Sequence, residues 1–108
     1  MKPNTDIICV KSLKKIMEIF GGKWSFLIMG ELHEGAKRFN EMNRNLGIST
    51  KALSNALKSL ESNGIIIRTV YPTSPVTVEY SLTEKGHDFE QVFIEMRNWG
   101  MKWLKDDK

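Results

Sequence analysis

The stretch from residue 49 to 82 constrains the fold of this chain more than any other. It begins with a helical pattern, STKALSNALKSLESNG, and continues into two strand-like pieces, IIIRTVY and TVEYSLT, separated by PTSPV. Proline lacks the N–H that a sheet ladder needs, so Pro72 and Pro75 belong to the connection between the strands. A short additional strand is expected at residues 37–39. A compact helix followed by such a β-ribbon is the layout of a winged helix.

Separate local signals agree on the helix. Ser49 is a good N-cap because its hydroxyl accepts a hydrogen bond from the first turn, and Gly64 suits the left-handed position after the last turn. An apolar stripe at spacings of three and four contains Leu53, Ala56, Leu57 and Leu60. The opposite face carries side chains of the types that contact base edges and phosphates: Thr50, Lys51, Ser54, Asn55 and Lys58. Such a face taken alone is more often simply solvated.

Three further helical patterns precede this segment. The first follows a cap at Ser12 and ends at Gly21 and Gly22. The second covers roughly residues 23–34, and a short third lies near residues 39–46. Two short helices joined by a turn that contains glycine form a helix-turn-helix. We therefore predict one domain over residues 1–108, with an N-terminal arm (1–11), a helix-turn-helix (about 38–63), a wing (about 65–82) and a C-terminal dimerisation helix (about 84–105).

The last helical pattern is long for so small a domain. Thr83 caps it, and a continuous helix from Glu84 to Leu104 would measure about 31 Å, the width of a small domain. Part of its apolar stripe then has nothing in its own domain to cover it. We predict a homodimer in which this helix and the N-terminal helix pair across a two-fold axis. The alternative is a helix that folds back at Gly100 and buries its own stripe.

The expected fold class is thus mostly α with a small β-ribbon, a winged helix-turn-helix with additional N- and C-terminal dimerisation helices. The residues expected at the dimer interface are Leu13, Ile16, Phe93, Met96, Trp99 and Trp103.

Charge and composition narrow the function classes. No apolar run approaches the roughly 18 residues that span a membrane, the N-terminus lacks a secretory pattern, and one cysteine forms no internal disulfide. These observations predict a cytoplasmic protein. Between Gly35 and Pro72 six basic residues accompany two acidic ones, and after Pro72 acidic residues outnumber basic ones. Positive charge concentrated on the helix and ribbon is the pattern expected for phosphate binding.

Double-stranded DNA is therefore the expected partner. The candidates for base-edge or groove contact are Thr50, Lys51, Ser54 and Asn55, and Ser49 is also expected among the DNA-binding residues. The candidates for phosphate contact are Lys37, Arg38, Lys58 and Arg68. Two such helices in a dimer would enter successive major grooves, about 34 Å apart, on a pseudo-palindromic operator. The alternative for Arg38 is a pair with Glu41, a carboxylate at helical spacing.

Several short motifs follow one another in a specific order. They are Gly21-Gly22-Lys23-Trp24, Arg38-Phe39-Asn40-Glu41, Gly47-Ile48-Ser49, Leu57-Lys58-Ser59-Leu60-Glu61, Arg68-Thr69-Val70-Tyr71-Pro72 and Val78-Glu79-Tyr80-Ser81-Leu82-Thr83. In this order they resemble the HxlR-type family of bacterial winged-helix transcriptional regulators over roughly residues 9–104. The resemblance implies a dimeric DNA-binding regulator, a repressor or an activator, without enzymatic activity or cofactor. It also implies a small-molecule or oxidant inducer that changes operator affinity.

Cys9 occupies the place of the cysteine that several members of this family use as a switch. In the functional interpretation Cys9 is a redox sensor that reacts as a thiolate, with Lys11, Lys14 and Lys15 nearby to stabilise the charge. In the alternative it is a small buried hydrophobe among Ile7, Ile8 and Val10.

Other chemistry finds little support. His33 and His87 are the only histidines, and with Cys9 their spacing matches no compact metal-ligand motif. We expect surface or structural roles for them, and no metal. No nucleophile elbow, P-loop or paired-carboxylate arrangement is visible, so an enzyme is not expected. Two other interpretations stay open: a winged helix used as a protein-interaction module, and a ligand-gated regulator with an inert Cys9 and a pocket near Phe20, Trp24 and Met96.

Overall fold

A computed structural model describes residues 9–104 of the chain. Within this range helices surround a two-stranded antiparallel ribbon, so the expected fold class is confirmed. In chain order the elements are α1 (Val10–Ile19), α2 (Lys23–His33), α3 (Phe39–Leu46), α4 (Thr50–Ser62), β1 (Ile66–Tyr71), β2 (Thr77–Leu82), α5 (Glu84–Asp88) and α6 (Glu90–Trp103). Among the described residues no helix is both long enough and apolar enough to cross a membrane.

The turn between α3 and α4 is fixed by one glycine and one amide side chain. Gly47 has a φ of 63°, a left-handed conformation that glycine adopts without steric cost. Its N–H donates to the Asn43 carbonyl at 3.1 Å, and the Asn43 side chain donates to the Ile48 carbonyl at 2.7 Å. Ser49 Oγ accepts the Ala52 N–H at 3.1 Å, which confirms the predicted N-cap. These bonds set the angle at which α4 leaves α3.

The ribbon is tied to the helix-turn-helix at its inner strand. β1 pairs with β2 so that Ile66 lies opposite Leu82 and Tyr71 lies opposite Thr77. The short strand expected at residues 37–39 is reduced to a single antiparallel bridge between Lys37 and Tyr80, in which both backbones donate and accept, at 3.0 and 2.8 Å. The residue just before α3 is therefore held against the wing.

The core lies where α2 and α4 meet the base of the ribbon. α4 contributes Leu53, Leu57 and Leu60, each at most 2% exposed. The remaining core residues are Phe20, Ile28, Met29, Leu32, Met42, Ile48, Ile65, Ile66 and Leu82. Full burial of a leucine side chain contributes roughly 1.5–3 kcal/mol, so the stripe determines which face of α4 is turned outwards.

The C-terminal helix is not continuous, and the prediction of one helix from residue 84 to 104 is wrong. Thr83 caps α5 as expected, but the helix is interrupted at Phe89. There the Phe89 N–H donates to the Gly86 carbonyl, three residues back, which tightens the turn. Gly86 lies against the backbone of Ile65, and the Phe89 ring stacks on Phe20 at 4.4 Å. The interruption turns Phe89 into the core.

α6 runs unbroken through Gly100 to Trp103, so the alternative of a chain that folds back at Gly100 is also wrong. Its 14 residues make it about 21 Å long. No residue of α6 is fully buried within the described part of the chain. Phe93 anchors it on α2, since the ring lies 6.2 Å from that of Phe26 and against Gly30.

Candidate nucleic-acid interface

The outward face of α4 carries the polar residues expected to make groove contacts. Ser49, Thr50, Lys51 and Asn55 are exposed, and Ser54 is half-buried beside the apolar stripe. No acidic residue lies in the first turn, so nothing there opposes the positive end of the helix dipole. The face therefore combines hydrogen-bond donors with a positive potential.

Two of the residues expected to contact phosphate are exposed to solvent. Lys58 is exposed further along α4, and Arg68 is exposed on β1. Alternate strand residues share a face, so Arg68 lies on the same side of the ribbon as the buried Ile66. Neither cation forms an ion pair within residues 9–104. Both are available to an anionic partner.

Lys37 has different surroundings, which argue against its predicted phosphate contact. Its ammonium donates to Glu34 Oε1 at 2.7 Å and to Glu31 Oε1 at 3.2 Å, and its side chain is only 11% exposed. The hydrogen bond to Glu34 raises the pKa of Lys37, and in return lowers the pKa of Glu34. Glu31 Oε1 also accepts from Asn45 at 2.8 Å. Lys37 thus ties the end of α2 to the segment just before α3.

A cleft of about 620 Å³ separates the start of α3 from the tip of the wing. Arg38, Asn40 and Arg44 line the helical side, and residues 75–78 line the wing side. The pairing with Glu41 that was the alternative for Arg38 takes a different form. The Arg38 backbone N–H, and not the guanidinium, donates to Glu41 Oε1 at 3.4 Å. Neither arginine forms an ion pair within the described residues.

Arg44 is a functional candidate that the sequence alone did not single out. It contributes to the basic charge of the segment, but nothing in its neighbours predicts that the fold brings it beside the wing. The only signal available in the sequence was its basic side chain on an amphipathic helix, six residues after Arg38.

Cys9 lies at the N-cap of α1 and is exposed. Its carbonyl accepts the Leu13 N–H at 3.0 Å, while its side chain makes no capping bond. The alternative of a buried small hydrophobe does not hold for the described chain. Ile7 and Ile8, the neighbours on one side, lie outside the described residues.

The expected dimer interface divides into two groups. Leu13, Met96, Trp99 and Trp103 are exposed, the two tryptophans at 62% each. Ile16 and Phe93 are partly buried and pack against the chain's own core, so they help to position α1 and α6. Other exposed apolar residues on these two helices are Val10, Met17, Val92 and Met101, and Leu104 just after α6 is also exposed.

A groove of about 520 Å³ lies between α2 and α6, near the pocket expected for a ligand-gated regulator. Met96 lines it, as expected. Phe20 and Trp24 are not among its lining residues. Phe20 is buried at 3% exposure and stacks on Phe26 and Phe89. Phe26, Leu27 and Phe93 supply the apolar wall in their place.

The two histidines meet at one carboxylate, which their separation in the sequence does not reveal. His33 Nδ1 lies 2.6 Å from Glu90 Oε2, and His87 Nδ1 lies 3.1 Å from Glu90 Oε1. Hydrogen bonding to His33, and then to His87, lowers the pKa of Glu90. Among the described residues no group of three or more Cys, His, Asp or Glu side chains is arranged to hold a metal ion.

Comparison with known proteins places this arrangement in a family. The HxlR-like helix-turn-helix family matches residues 19–108. An uncharacterized HTH-type transcriptional regulator of Synechocystis sp., sll1512, is 40% identical over 96 residues, which cover 88% of this chain and 71% of that protein. The HTH-type transcriptional regulator YodB of Bacillus subtilis is 42% identical over 93 residues, which cover 85% of this chain and 82% of YodB.

Solved structures are similar over most of the chain. The reduced form of YodB superposes with a TM-score of 0.78 at 36% identity, covering 100% of this chain and 99% of YodB. The redox regulator HypR in its reduced form gives a TM-score of 0.80 at 34% identity, covering 90% of this chain and 99% of HypR. These relatives are transcriptional regulators and not enzymes, which confirms the expectation of a non-enzymatic protein. The chain belongs to the HxlR-like helix-turn-helix family of DNA-binding transcriptional regulators.

Proposed function

We propose that the protein is a homodimeric, sequence-specific regulator whose α4 enters the major groove of a pseudo-palindromic operator in the cytoplasm. The observation that carries the proposal is the exposed face of α4, which has no acidic residue in its first turn. Lys58 on the same helix and Arg68 on β1 are exposed and lie outside any ion pair of the described chain. Such a face matches the negative potential and acceptor groups of a DNA groove.

Base contacts and phosphate contacts come from different parts of this surface. Residues in the first half of α4 face the groove, and Asn55 has the amide that bonds adenine through both N6 and N7. The phosphate contacts are assigned to Arg38, Lys58 and Arg68, with Arg44 added because it shares the cleft between α3 and the wing. Lys37 is left out because Glu31 and Glu34 already neutralise it.

The exposed apolar residues of α1 and α6 support the proposed dimer. Exposed apolar residues grouped on a small protein mark an interaction surface, and a two-fold axis would let the same residues of two subunits cover one another. Leu13, Met96, Trp99 and Trp103 are the proposed contacts. Such a dimer would place its two α4 helices in successive major grooves, about 34 Å apart.

DNA binding is tested by titrating the wild type and two variants against a selected operator and a random duplex at several salt concentrations. Arg68→Ala should weaken binding to both duplexes and reduce the slope of log K against log salt by about one. Asn55→Ala should cost about 1–3 kcal/mol on the operator and relax specificity at one base pair. If the wild type binds neither duplex at low salt, the protein-interaction alternative replaces this proposal.

The exposure of Cys9 favours a second function, which is a response to oxidants. Two solved relatives, YodB and HypR, are described in reduced form and in diamide-treated or oxidized form. With one cysteine per chain, a two-electron oxidant would join two Cys9 sulfurs across subunits or join Cys9 to a small thiol. Either product changes the start of α1, which belongs to the proposed dimer surface.

This response is tested by measuring operator affinity before and after diamide for the wild type and Cys9→Ser. The wild type should change its affinity at least severalfold, Cys9→Ser should not change, and dithiothreitol should restore the wild type. Unchanged wild-type affinity after complete thiol modification would exclude Cys9 as the sensor. The groove between α2 and α6 would then be the candidate site for an inducer.

A further inference from the structure

The groove between α2 and α6 combines an apolar wall with a single arginine. Its volume of about 520 Å³ falls in the range of roughly 300–1,000 Å³ that small-molecule sites occupy. Phe26, Leu27 and Gly30 of α2 line one side, and Phe93 and Met96 of α6 line the other. Both helices belong to one subunit, so the groove is formed without a partner chain.

The apolar wall of this groove suits a flat aromatic group. The rings of Phe26 and Phe93 lie 6.2 Å apart at an angle of 23°, so they are nearly parallel. Gly30 leaves room for this arrangement, because a Cβ atom there would lie 3.3 Å from Phe93 Cε2. Leu27 and Met96 are 46% and 48% exposed, and a thioether adapts to an aromatic ring and makes favourable contacts with it. A planar ring therefore finds aromatic partners and adaptable apolar contacts in the groove.

Three side chains that can carry a charge line the groove, and two of them already have partners. Glu34 accepts a hydrogen bond from the Lys37 ammonium at 2.7 Å. His33 contacts the Glu90 carboxylate at 2.6 Å. Arg97 forms no ion pair within residues 9–104, and its guanidinium donates one hydrogen bond there, at 3.3 Å, to the side chain of the next residue. The groove therefore presents a positive charge that can bind an anion beside its aromatic wall.

We propose that this groove binds a small aromatic carboxylate, with the ring against Phe26 and Phe93 and the carboxylate on the Arg97 guanidinium. A planar guanidinium can donate two parallel hydrogen bonds to a carboxylate, which fixes the orientation of the ligand as well as its charge. An aromatic cation is disfavoured, because Arg97 repels it and the Glu34 charge is already neutralised by Lys37. No lining residue of the groove belongs to α3, α4 or the wing, so the ligand does not occupy the proposed DNA-binding surface.

The site is tested by isothermal titration calorimetry of the free protein at constant pH and ionic strength. The probes are naphthoate, its neutral amide and the cation naphthylmethylammonium, all substituted at the same ring position. A partly exposed ion pair changes an equilibrium by up to about fivefold, so naphthoate should bind about three- to fivefold more tightly than the amide, and the cation should bind most weakly. Equal affinities, or tightest binding of the cation, would overturn the proposal. Absence of binding by all three probes, which is expected if a second subunit covers the groove, would overturn it as well.

Two variants separate the role of Arg97 from a general charge effect on α6. Arg97→Gln keeps a polar side chain and removes the charge, so it should lower the affinity for naphthoate to that for the amide and leave the affinity for the amide unchanged. Lys102→Gln is the matched control, since it removes an exposed positive charge from the same helix at a residue that does not line the groove. This control should keep the preference for naphthoate. A preference that persists in Arg97→Gln, or that is lost equally in Lys102→Gln, would contradict the assignment.

A third variant and a spectrum locate the aromatic ring of the ligand. Leu27→Gln changes a side chain that is 46% exposed, so the fold should tolerate it, and it should weaken the binding of all three probes severalfold without changing their order. In amide NMR spectra of the wild type, naphthoate should shift the signals of Gly30 and of residues 93–97. Shifts confined to another surface would show that the ligand binds elsewhere and would overturn the proposal.

Calorimetry of the free protein does not depend on DNA binding, so failure of the ligand site and failure of the proposed function are distinguishable. Only the next step rests on the proposed function. Because Met96 both lines the groove and belongs to the proposed dimer surface, naphthoate should change the dissociation constant of the dimer, and dimerisation should change the affinity for naphthoate by the same factor. Sedimentation of the wild type and Arg97→Gln, with and without naphthoate, measures that coupling separately.

Discussion

Two neighbouring basic residues, Lys37 and Arg38, have opposite surroundings although the sequence presents them as a pair. Lys37 is held by Glu31 and Glu34 and by its backbone bridge to Tyr80. The Arg38 guanidinium forms no ion pair in the part of the chain that the structure describes, and it borders the cleft beside the wing. The first side chain is structural, and the second is free to meet a phosphate.

Substitution of each residue should therefore affect a different property. Lys37→Met leaves two carboxylates without their cation and should lower the free energy of unfolding by up to about 1 kcal/mol, while the salt dependence of DNA binding stays as in the wild type. Arg38→Ala should leave the unfolding midpoint unchanged and reduce the salt slope by about one. Urea denaturation and salt titrations of operator binding measure the two effects. If the salt slope of Lys37→Met is reduced, Lys37 does contact a phosphate, as the sequence predicted.

The residues that the sequence located well are those whose roles are set by near neighbours. The Ser49 cap depends on Ala52, three residues along. The ion pairs of His33 with Glu90 and of Lys37 with Glu31 depend on how separate elements pack. Helical and strand periodicity describes which face of an element is apolar, but it does not say which charged residues of two elements will meet.

At the scale of elements, apolar periodicity predicted every helix and strand that positions α4, and it failed at the C-terminal helix. The spacing of Phe89, Val92, Phe93 and Met96 is helical and gives no sign of the interruption at Phe89. The interruption arises from packing, because Gly86 rests on the Ile65 backbone and turns Phe89 toward Phe20. A close approach of two backbones leaves no periodic signal beyond the glycine itself.

Gly86→Ala should destabilise the fold for this reason. A Cβ atom at position 86 would overlap the Ile65 carbonyl oxygen, so α5 must move away from the base of the wing. Overpacking of this kind costs about 1–3 kcal/mol, which urea denaturation will measure. Gly22→Ala is the matched control, since a Cβ there meets nothing within 4 Å and the φ is −102°. Equal stability of the two variants would show that the contact with Ile65 does not direct the chain at Gly86.

At the scale of the whole molecule, the two proposed surfaces lie on different elements. The cations and donors of the DNA-binding surface belong to α3, α4 and the wing, while the exposed apolar residues belong to α1 and α6. The sequence indicated this division through its uneven charge and its apolar C-terminal pattern. The sequence pattern overestimated the length of the last helix. The exposed apolar stripe is still present on the shorter helix, because Trp99 and Trp103 both lie on α6.

Trp99→Ser/Trp103→Ser should therefore uncouple dimerisation from folding. Both side chains are 62% exposed within the subunit, so their loss should leave the unfolding of the monomer nearly unchanged. In sedimentation the variant should be monomeric at concentrations where the wild type is dimeric. Its operator affinity should fall by about 10²–10⁴-fold, because the second half-site no longer adds to the first, while binding to an isolated half-site is retained. Asn98→Ser, an exposed polar change on the same helix, should keep both the dimer and the operator affinity. A dimeric double variant would mean that the subunits associate through another surface, and α6 would then be exposed for a different partner.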